Sequence, residues 1–279
     1  MKLKKVIIYA SLSILGVIVL SLFFAYFTNF NDPVANFFKK IYPSVIIDGK
    51  KISIYSLNQK VQLAKNVDSK ASVDLITNQI INNFKLSVVA QKFNIFPDEV
   101  FLTNELSFYS KNQESDYKKL IDDSFNSNSE LFRENILIPL ATEASLRIKY
   151  NTESQLVSLE YKKAQSLLDQ IQQGKEFELV AKESSDDLES GQLGGDLGFF
   201  TSGEVIPELE KQIVNAKPGS VLSEIVVSRL GYHIIYPIES AFKDGNKYWH
   251  VKHILIKTEG FNAWLGNQLN SVKVWSLVK

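Results

Sequence analysis

A run without a single charge, from Val6 to Phe27, constrains this chain more than any other feature. It reads VIIYASLSILGVIVLSLFFAYF. As a helix it would be roughly 33 Å long, against a hydrocarbon core about 30 Å thick. Lys2, Lys4 and Lys5 precede it, which favours an N-terminus on the inside. A cleaved signal segment has a shorter apolar core followed by small residues, whereas bulky Phe23, Phe24, Tyr26 and Phe27 close this run. The expectation is a retained single-pass anchor in the cell membrane, with residues 1–28 as cytoplasmic stub and transmembrane helix and the remainder extracytoplasmic.

The remainder is long enough for two modest domains within a chain of 279 residues. Apolar residues are 45% and charged residues 22%, so a real core is available. Lys+Arg and Asp+Glu are both 31, which leaves no basic excess for a nucleic-acid footprint. The absence of cysteine excludes disulfides, thiolate metal sites, a cysteine nucleophile and a lipidated cysteine. The histidines are His233, His250 and His253. His250 and His253 stand three apart in a β-like run, which points their rings to opposite faces, so no metal site is expected.

Residues 29–44 read as a linker broken by Pro33 and Pro43. Asp48-Gly49 between apolar runs predicts a hairpin over Val45 to Ser53. Helical spacing follows over Ser72 to Asn94, from Pro97 onward, and after a Ser127-x-x-Glu130 capping pattern, with Pro139 bending the last of these. A second capping pattern, Thr152-x-x-Gln155, opens a helix with Leu156, Leu159, Ala164, Leu167, Leu168 and Ile171 on one face, and Gly174 as its left-handed cap. Beyond it glycines cluster at Gly191, Gly194, Gly195 and Gly198, and β-like runs cover Ser223 to Ser228 and Tyr232 to Ile238. The domains expected are 45–150, helical; 151–260, mixed helix and sheet; and 261–279, a helix with an apolar tail that either covers the sheet or returns to the helical domain.

The stretch from Gly174 to Ile238 resembles the parvulin family of peptidyl-prolyl cis/trans isomerases. The residues that carry the resemblance are Gly174-Lys-Glu-Phe177, Ala181-Lys-Glu-Ser-Ser-Asp-Asp187, Gly194-Gly-Asp-Leu-Gly-Phe-Phe200, Gly203-Glu-Val-Ile-Pro-Glu-Leu209, Lys217-Pro-Gly-Ser-Val221 and Gly231-Tyr-His-Ile-Ile235, in family order and spacing. The helical segment 45–150 looks like the N-terminal chaperone domain of SurA/PrsA-type export foldases. The resemblance implies an α+β fold, a small antiparallel sheet with surrounding helices and a shallow proline pocket. Leu197, Phe200, Val205 and Leu209 stand where the family lines that pocket, although many members have phenylalanine at the place of Leu209. Asp187 matches the cysteine-or-aspartate beside the susceptible bond. His233 matches the second of two sheet histidines, and Ser228 a nearby hydroxyl. No cofactor is implied.

The family domain opens with a strand reading His-Ile-Leu-Val. The aligned stretch here, Arg147-Ile-Lys-Tyr-Asn-Thr-Glu153, lacks the histidine and continues a helical pattern. The missing strand appears after the last family strand instead, as His253-Ile-Leu-Ile-Lys-Thr-Glu259. A hairpin through Phe242 to Asn246 would lay it antiparallel beside Tyr232 to Ile238, as a permuted domain with His253 as first histidine. A three-residue loop over Lys243 to Gly245 puts both imidazoles on one face, and a two-residue Asp244-Gly245 turn puts them on opposite faces. The glycine suits either. Alternatively His253 is only a polar residue of an added edge strand, and Asp187 only a solvated carboxylate in an acidic run.

The expected function is therefore an isomerase and folding chaperone for exported, proline-containing polypeptides, with His233, His253, Asp187 and Ser228 as site residues. The alternatives are a parvulin-like holdase that grips extended chains without turning them, and a structural envelope protein.

Overall fold

The computed structural model describes residues 16–29, 32–112, 114–125, 128–155 and 158–277. The chain forms two compact units. One comprises residues up to Val89 with Gln268 onward, and the other Ala90–Asn267.

In the first unit a helical segment over 16–27 precedes α1 (Pro33–Ile41), β1 (Pro43–Ile47), β2 (Lys50–Ser53), α2 (Ile54–Val67) and α3 (Val73–Lys92). Among the described residues no helix is long and apolar enough to cross a membrane, so the expected transmembrane helix is corrected. Residues 6–15 of the apolar run lie outside the described residues. One face of the described helix over 16–27 makes protein contacts. Ala25 and Ser21 are buried, the Ser21 and Tyr42 hydroxyls share a hydrogen bond of 2.6 Å, and the Tyr26 hydroxyl donates to the Pro43 carbonyl at 2.5 Å.

The β1–β2 hairpin turns at Asp48 (φ 48°) and Gly49 (φ 81°), the two left-handed residues that a tight two-residue turn demands. The C-terminal tail returns to this unit. There β7 (Val274–Ser276) pairs antiparallel with β1, giving the order β2-β1-β7.

The second unit contains α4 (Glu99–Asn112), α5 (Glu114–Phe125), α6 (Ser129–Phe132) and α7 (Ile138–Ser154), packed around Leu102, Phe125, Phe132, Leu137 and Ala141. Asn128 caps α6 by accepting from the Leu131 N–H at 3.1 Å, while Ser127 lies outside the described residues. A π-helical turn over Arg133–Leu137 joins α6 to α7, and Pro139 enters at the first turn of α7. Wider bonds of this kind absorb the N–H that proline lacks. The helix runs straight through Tyr150, where a domain boundary was expected, so Thr152 lies inside α7 with its hydroxyl on the Ile148 carbonyl. Ser158 caps the next helix instead, accepting from Tyr161 N–H at 3.0 Å.

That helix, α8 (Leu159–Gln172), is followed by α9 (Phe177–Ser184), α10 (Leu188–Gln192), β3 (Asp196–Phe200), α11 (Pro207–Ile213), β4 (Val226–Val227), β5 (Gly231–Lys243), β6 (Asn246–Lys257) and α12 (Phe261–Ser271). The sheet order is β3-β6-β5-β4, antiparallel throughout. β6, the last strand in the chain order of this sheet, thus sits in its interior.

Alternation along β5 and β6 sorts the core. Tyr232, Ile234, Ile254 and Ile256 meet Ala164, Leu167 and Leu168 of α8 and Phe177, Val180 and Ala181 of α9. Ile235 and Val251 face the other way, onto Phe200, Leu209, Ile213 and Val226.

The β5–β6 turn is the two-residue one, since Lys243 pairs with Asn246 across Asp244 (φ 52°) and Gly245 (φ 80°). Yet His233 pairs with Leu255 and Ile235 with His253, the register assigned above to a three-residue loop. A β-bulge between Pro237 and Glu239 supplies the missing residue. Proline cannot donate to the ladder, so Pro237 is where an antiparallel pair yields. The rule that a two-residue turn separates the imidazoles is corrected by this bulge.

Candidate functional site

His233 and His253 lie on one face of the sheet, stacked with ring centroids 5.4 Å apart and Nδ1···Nδ1 3.3 Å. Both are buried. His253 Nε2 is 2.8 Å from Asp187 Oδ2 and 3.1 Å from Ser190 Oγ, and the Ser190 hydroxyl donates to Asp187 at 2.7 Å. At the other end His233 Nε2 is 2.7 Å from Ser228 Oγ, which accepts from Leu230 N–H at 2.9 Å.

One proton arrangement satisfies every group. The Ser228 hydroxyl donates to His233 Nε2, His233 Nδ1–H donates to His253 Nδ1, and His253 Nε2–H donates to the Asp187 carboxylate. Both rings are then neutral, as burial requires. Burial, reinforced by the neighbouring His253, pushes His233 down to about 3, against the opposing pull of Asp187. Burial also lowers His253, again opposed by Asp187. Burial alone would raise Asp187, but the hydrogen bonds from Ser190 and His253 outweigh it and hold the carboxyl below its usual range.

The sign of the pH dependence follows. Between about pH 6.5 and about pH 3 the unfolded chain protonates a histidine that the folded chain keeps neutral at His233. Stability is full above this window and falls as pH falls through it, by up to about 1.4 kcal/mol per pH unit for that residue. Urea melts at successive pH values should show this loss for the unaltered protein, and a shallower slope for His233→Gln. Equal slopes would remove the buried neutral histidine from the account.

Local structure explains why these residues meet. Asp187 is the residue before α10, one turn from Ser190, and its carboxylate accepts from the Ser190 hydroxyl and pairs with His253. The preceding run is stitched to β6. Asp186 N–H donates to the Leu255 carbonyl at 2.7 Å, and Leu255 N–H donates to Ser185 Oγ at 3.2 Å. Gly195 (φ 85°) accepts from His253 N–H at 2.8 Å, and a Cβ there would overlap the His253 carbonyl oxygen. Gly195→Ala should therefore lower the urea midpoint, with about 1–3 kcal/mol from the backbone conformation alone. An unchanged midpoint would contradict the close approach of β6.

Leu197, Phe200, Val205 and Leu209 belong to one apolar cluster beside this pair, on the face that carries Ile235 and Val251. Phe200 and Leu209 are buried, while Leu197 and Val205 are partly open. Asp187, Ser190, Leu197, Phe199 and His250 share the wall of an open depression of about 830 Å³. His250 sits at its rim, tilted against the Phe199 ring with centroids 4.7 Å apart, and its Nε2 is 2.8 Å from Asp196 Oδ1. Burial would raise Asp196, but the Gly198 N–H and His250 hold it low. Arg147, which the resemblance aligns with the usual first histidine, has other partners. Its guanidinium covers the Phe261 ring at 4.1 Å and bonds Glu143 at 3.1 Å and Asn262 at 3.2 Å.

Sequence reasoning missed Ser190. The signal was the Asp187-x-x-Ser190 spacing, which places a hydroxyl one turn from the carboxylate.

A buried histidine pair, a serine, a carboxylate and an adjoining apolar depression thus meet on a four-stranded antiparallel sheet. Residues 139–239 match the rotamase family, the PPIC-type PPIase domain, so the chain carries a parvulin-type rotamase domain of the kind found in PrsA and SurA. It is 36% identical to the foldase protein PrsA 1 of Bacillus cereus over 110 residues, 38% of either chain. It is 33% identical to the chaperone SurA of Ralstonia nicotianae over 128 residues, 44% of this chain and 24% of that one. A crystal structure of the peptidylprolyl isomerase PrsA from Bacillus anthracis aligns at 21% identity and a TM-score of 0.27, covering 67% of this chain and 83% of that one. The chain spans less than two fifths of the length of the first two relatives. His253 lies beyond the matched residues.

Proposed function

We propose that the chain is a peptidyl-prolyl cis/trans isomerase that assists the folding of exported polypeptides, and that it completes its site with a strand from the C-terminal side of the family domain. The observation that carries the reading is the continuous run of hydrogen bonds from Ser228 through His233 and His253 to Asp187.

Turning an X-Pro bond means crossing a barrier of about 18–20 kcal/mol set by amide resonance. No covalent bond has to form. A site that binds the twisted amide better than either planar form lowers the barrier. In this reading Leu197, Phe200, Val205 and Leu209 hold the proline ring. The neutral imidazole pair forms a rigid floor that keeps Ser228 and Asp187 in place. The ionised Asp187, partly open to the depression, supplies a negative field beside the carbonyl carbon as the amide loses its resonance.

The test is exchange of a proline tetrapeptide. Acceleration by the folded protein that is lost in Asp187→Ala supports the reading, and no acceleration by the folded protein overturns it. A second reading, a holdase that grips chains without turning them, is favoured by Leu209 in place of the common phenylalanine, which makes the proline site less aromatic. Suppression of client aggregation that persists in Asp187→Ala, without any tetrapeptide acceleration, would select it.

A further inference from the structure

We propose that Asn151, in the last turn of α7, is a positioning residue that sets the histidine pair by holding Ser228. The inference rests on the isomerase reading for its kinetic arm only.

Asn151 is fully buried, and an amide is costly to bury unless its polar atoms are matched. All are matched here. Its Nδ2 donates to the Ser228 carbonyl at 2.8 Å, its Oδ1 accepts from the Thr258 hydroxyl at 2.8 Å, and its backbone carbonyl accepts from the Tyr232 hydroxyl at 2.8 Å. That carbonyl is free to accept because the last turn of a helix leaves its carbonyls without partners inside the helix.

The three partners lie just after β4, at the start of β5 and just after β6. These are the segments that carry Ser228, His233 and His253. The Ser228 side chain bonds His233, and Tyr232 immediately precedes it. A single residue on a helix therefore ties together three strand segments, two through its side-chain amide and one through its backbone carbonyl, and its most direct side-chain tie is to the residue that orients His233. The helix stands where the family resemblance expects the opening strand. The clamp that Asn151 provides is thus delivered by a segment outside the sheet.

Asn151→Asp keeps the size and the acceptor for Thr258 but loses the donor to Ser228. Thr258→Val loses a bond at the opposite end of the same side chain and serves as a control for stability alone. Asn151→Asp should lower kcat/KM for a proline tetrapeptide by about ten-fold, mostly in kcat, as expected when a reacting geometry loosens. It should also shift or broaden the His233 imidazole 15N resonances, while Thr258→Val leaves both close to the unaltered protein. Asn151→Ser, whose side chain is too short to reach, should behave as Asn151→Asp. If neither Asn151 variant folds, exchange of the Asn151 side-chain amide in the unaltered protein decides. Slow exchange supports the clamp and rapid exchange overturns it. Imidazole resonances in Asn151→Asp that match those of Thr258→Val overturn it as well. If the unaltered protein shows no isomerase activity, the functional reading fails, while the resonances still test the clamp.

Discussion

His253→Ala is expected to slow isomerisation of a proline tetrapeptide by roughly a hundred-fold, the loss typical when a preorganised polar group is removed from a reaction site. The residue lies outside the part of the chain that matches the rotamase family, so family likeness alone gives it no role. The proposed reading gives it a central one. Its removal leaves the His233 Nδ1–H buried without an acceptor, and frees the Asp187 carboxylate from one of its two side-chain donors. An unpaired buried donor costs about 1–3 kcal/mol, so the variant should also melt earlier. The kinetic loss should persist under conditions where circular dichroism shows the variant fully folded. A folded His253→Ala that isomerises at the unaltered rate would make β6 an ordinary added strand.

The largest effect on stability is expected at Arg229, between Ser228 and Leu230. Its guanidinium forks between two buried carboxylates. Nη1 and Nη2 bond Glu105 of α4, and Nε and Nη2 bond Glu208 of α11, at 2.8 Å and 3.0 Å for the latter pair. Burial would lower the arginine's affinity for its proton, but the bonds to Glu105 and Glu208 outweigh this and raise it, so the charge is permanent. Arg229→Met leaves two carboxylates buried without their cation, and breaking a buried pair from one side costs about 3–5 kcal/mol. Chemical denaturation should show a loss of this size. Arg229→Met combined with Glu105→Leu and Glu208→Met should recover most of it, because whole buried ion clusters can be replaced by apolar packing. A single variant as stable as the unaltered protein would show that the cluster contributes only surface-like charge contacts.

Much of the sheet was legible because its signals are local. His253-Ile-Leu-Ile reads as the missing strand and Asp244-Gly245 as a turn. The register was not legible from the turn alone. The bulge after Pro237 adds the residue that brings both imidazoles to one face, and only the missing N–H of that proline hinted at it.

Helix boundaries near Thr152 were misplaced for a related reason. A capping pattern is a local preference, and the packing of α7 against its neighbours carried the helix past it. For the described part of the N-terminal apolar run, hydropathy counts residues without regard to partners. The bonds of Ser21 and Tyr26 to Tyr42 and Pro43 are tertiary and leave no mark on a hydropathy window. Ser190 and Asn151 escaped notice because a serine or an asparagine gains its role only from what the fold brings beside it.

The account turns on two imidazoles working as one unit although they come from either side of the family domain's end. A double-mutant cycle on kcat/KM with His233→Ala and His253→Ala measures this directly. The double variant should be about as slow as the slower single one, since either substitution already breaks the run from Ser228 to Asp187. Losses that multiply would mean that the two rings act independently, and the completed site proposed for this chain would be contradicted.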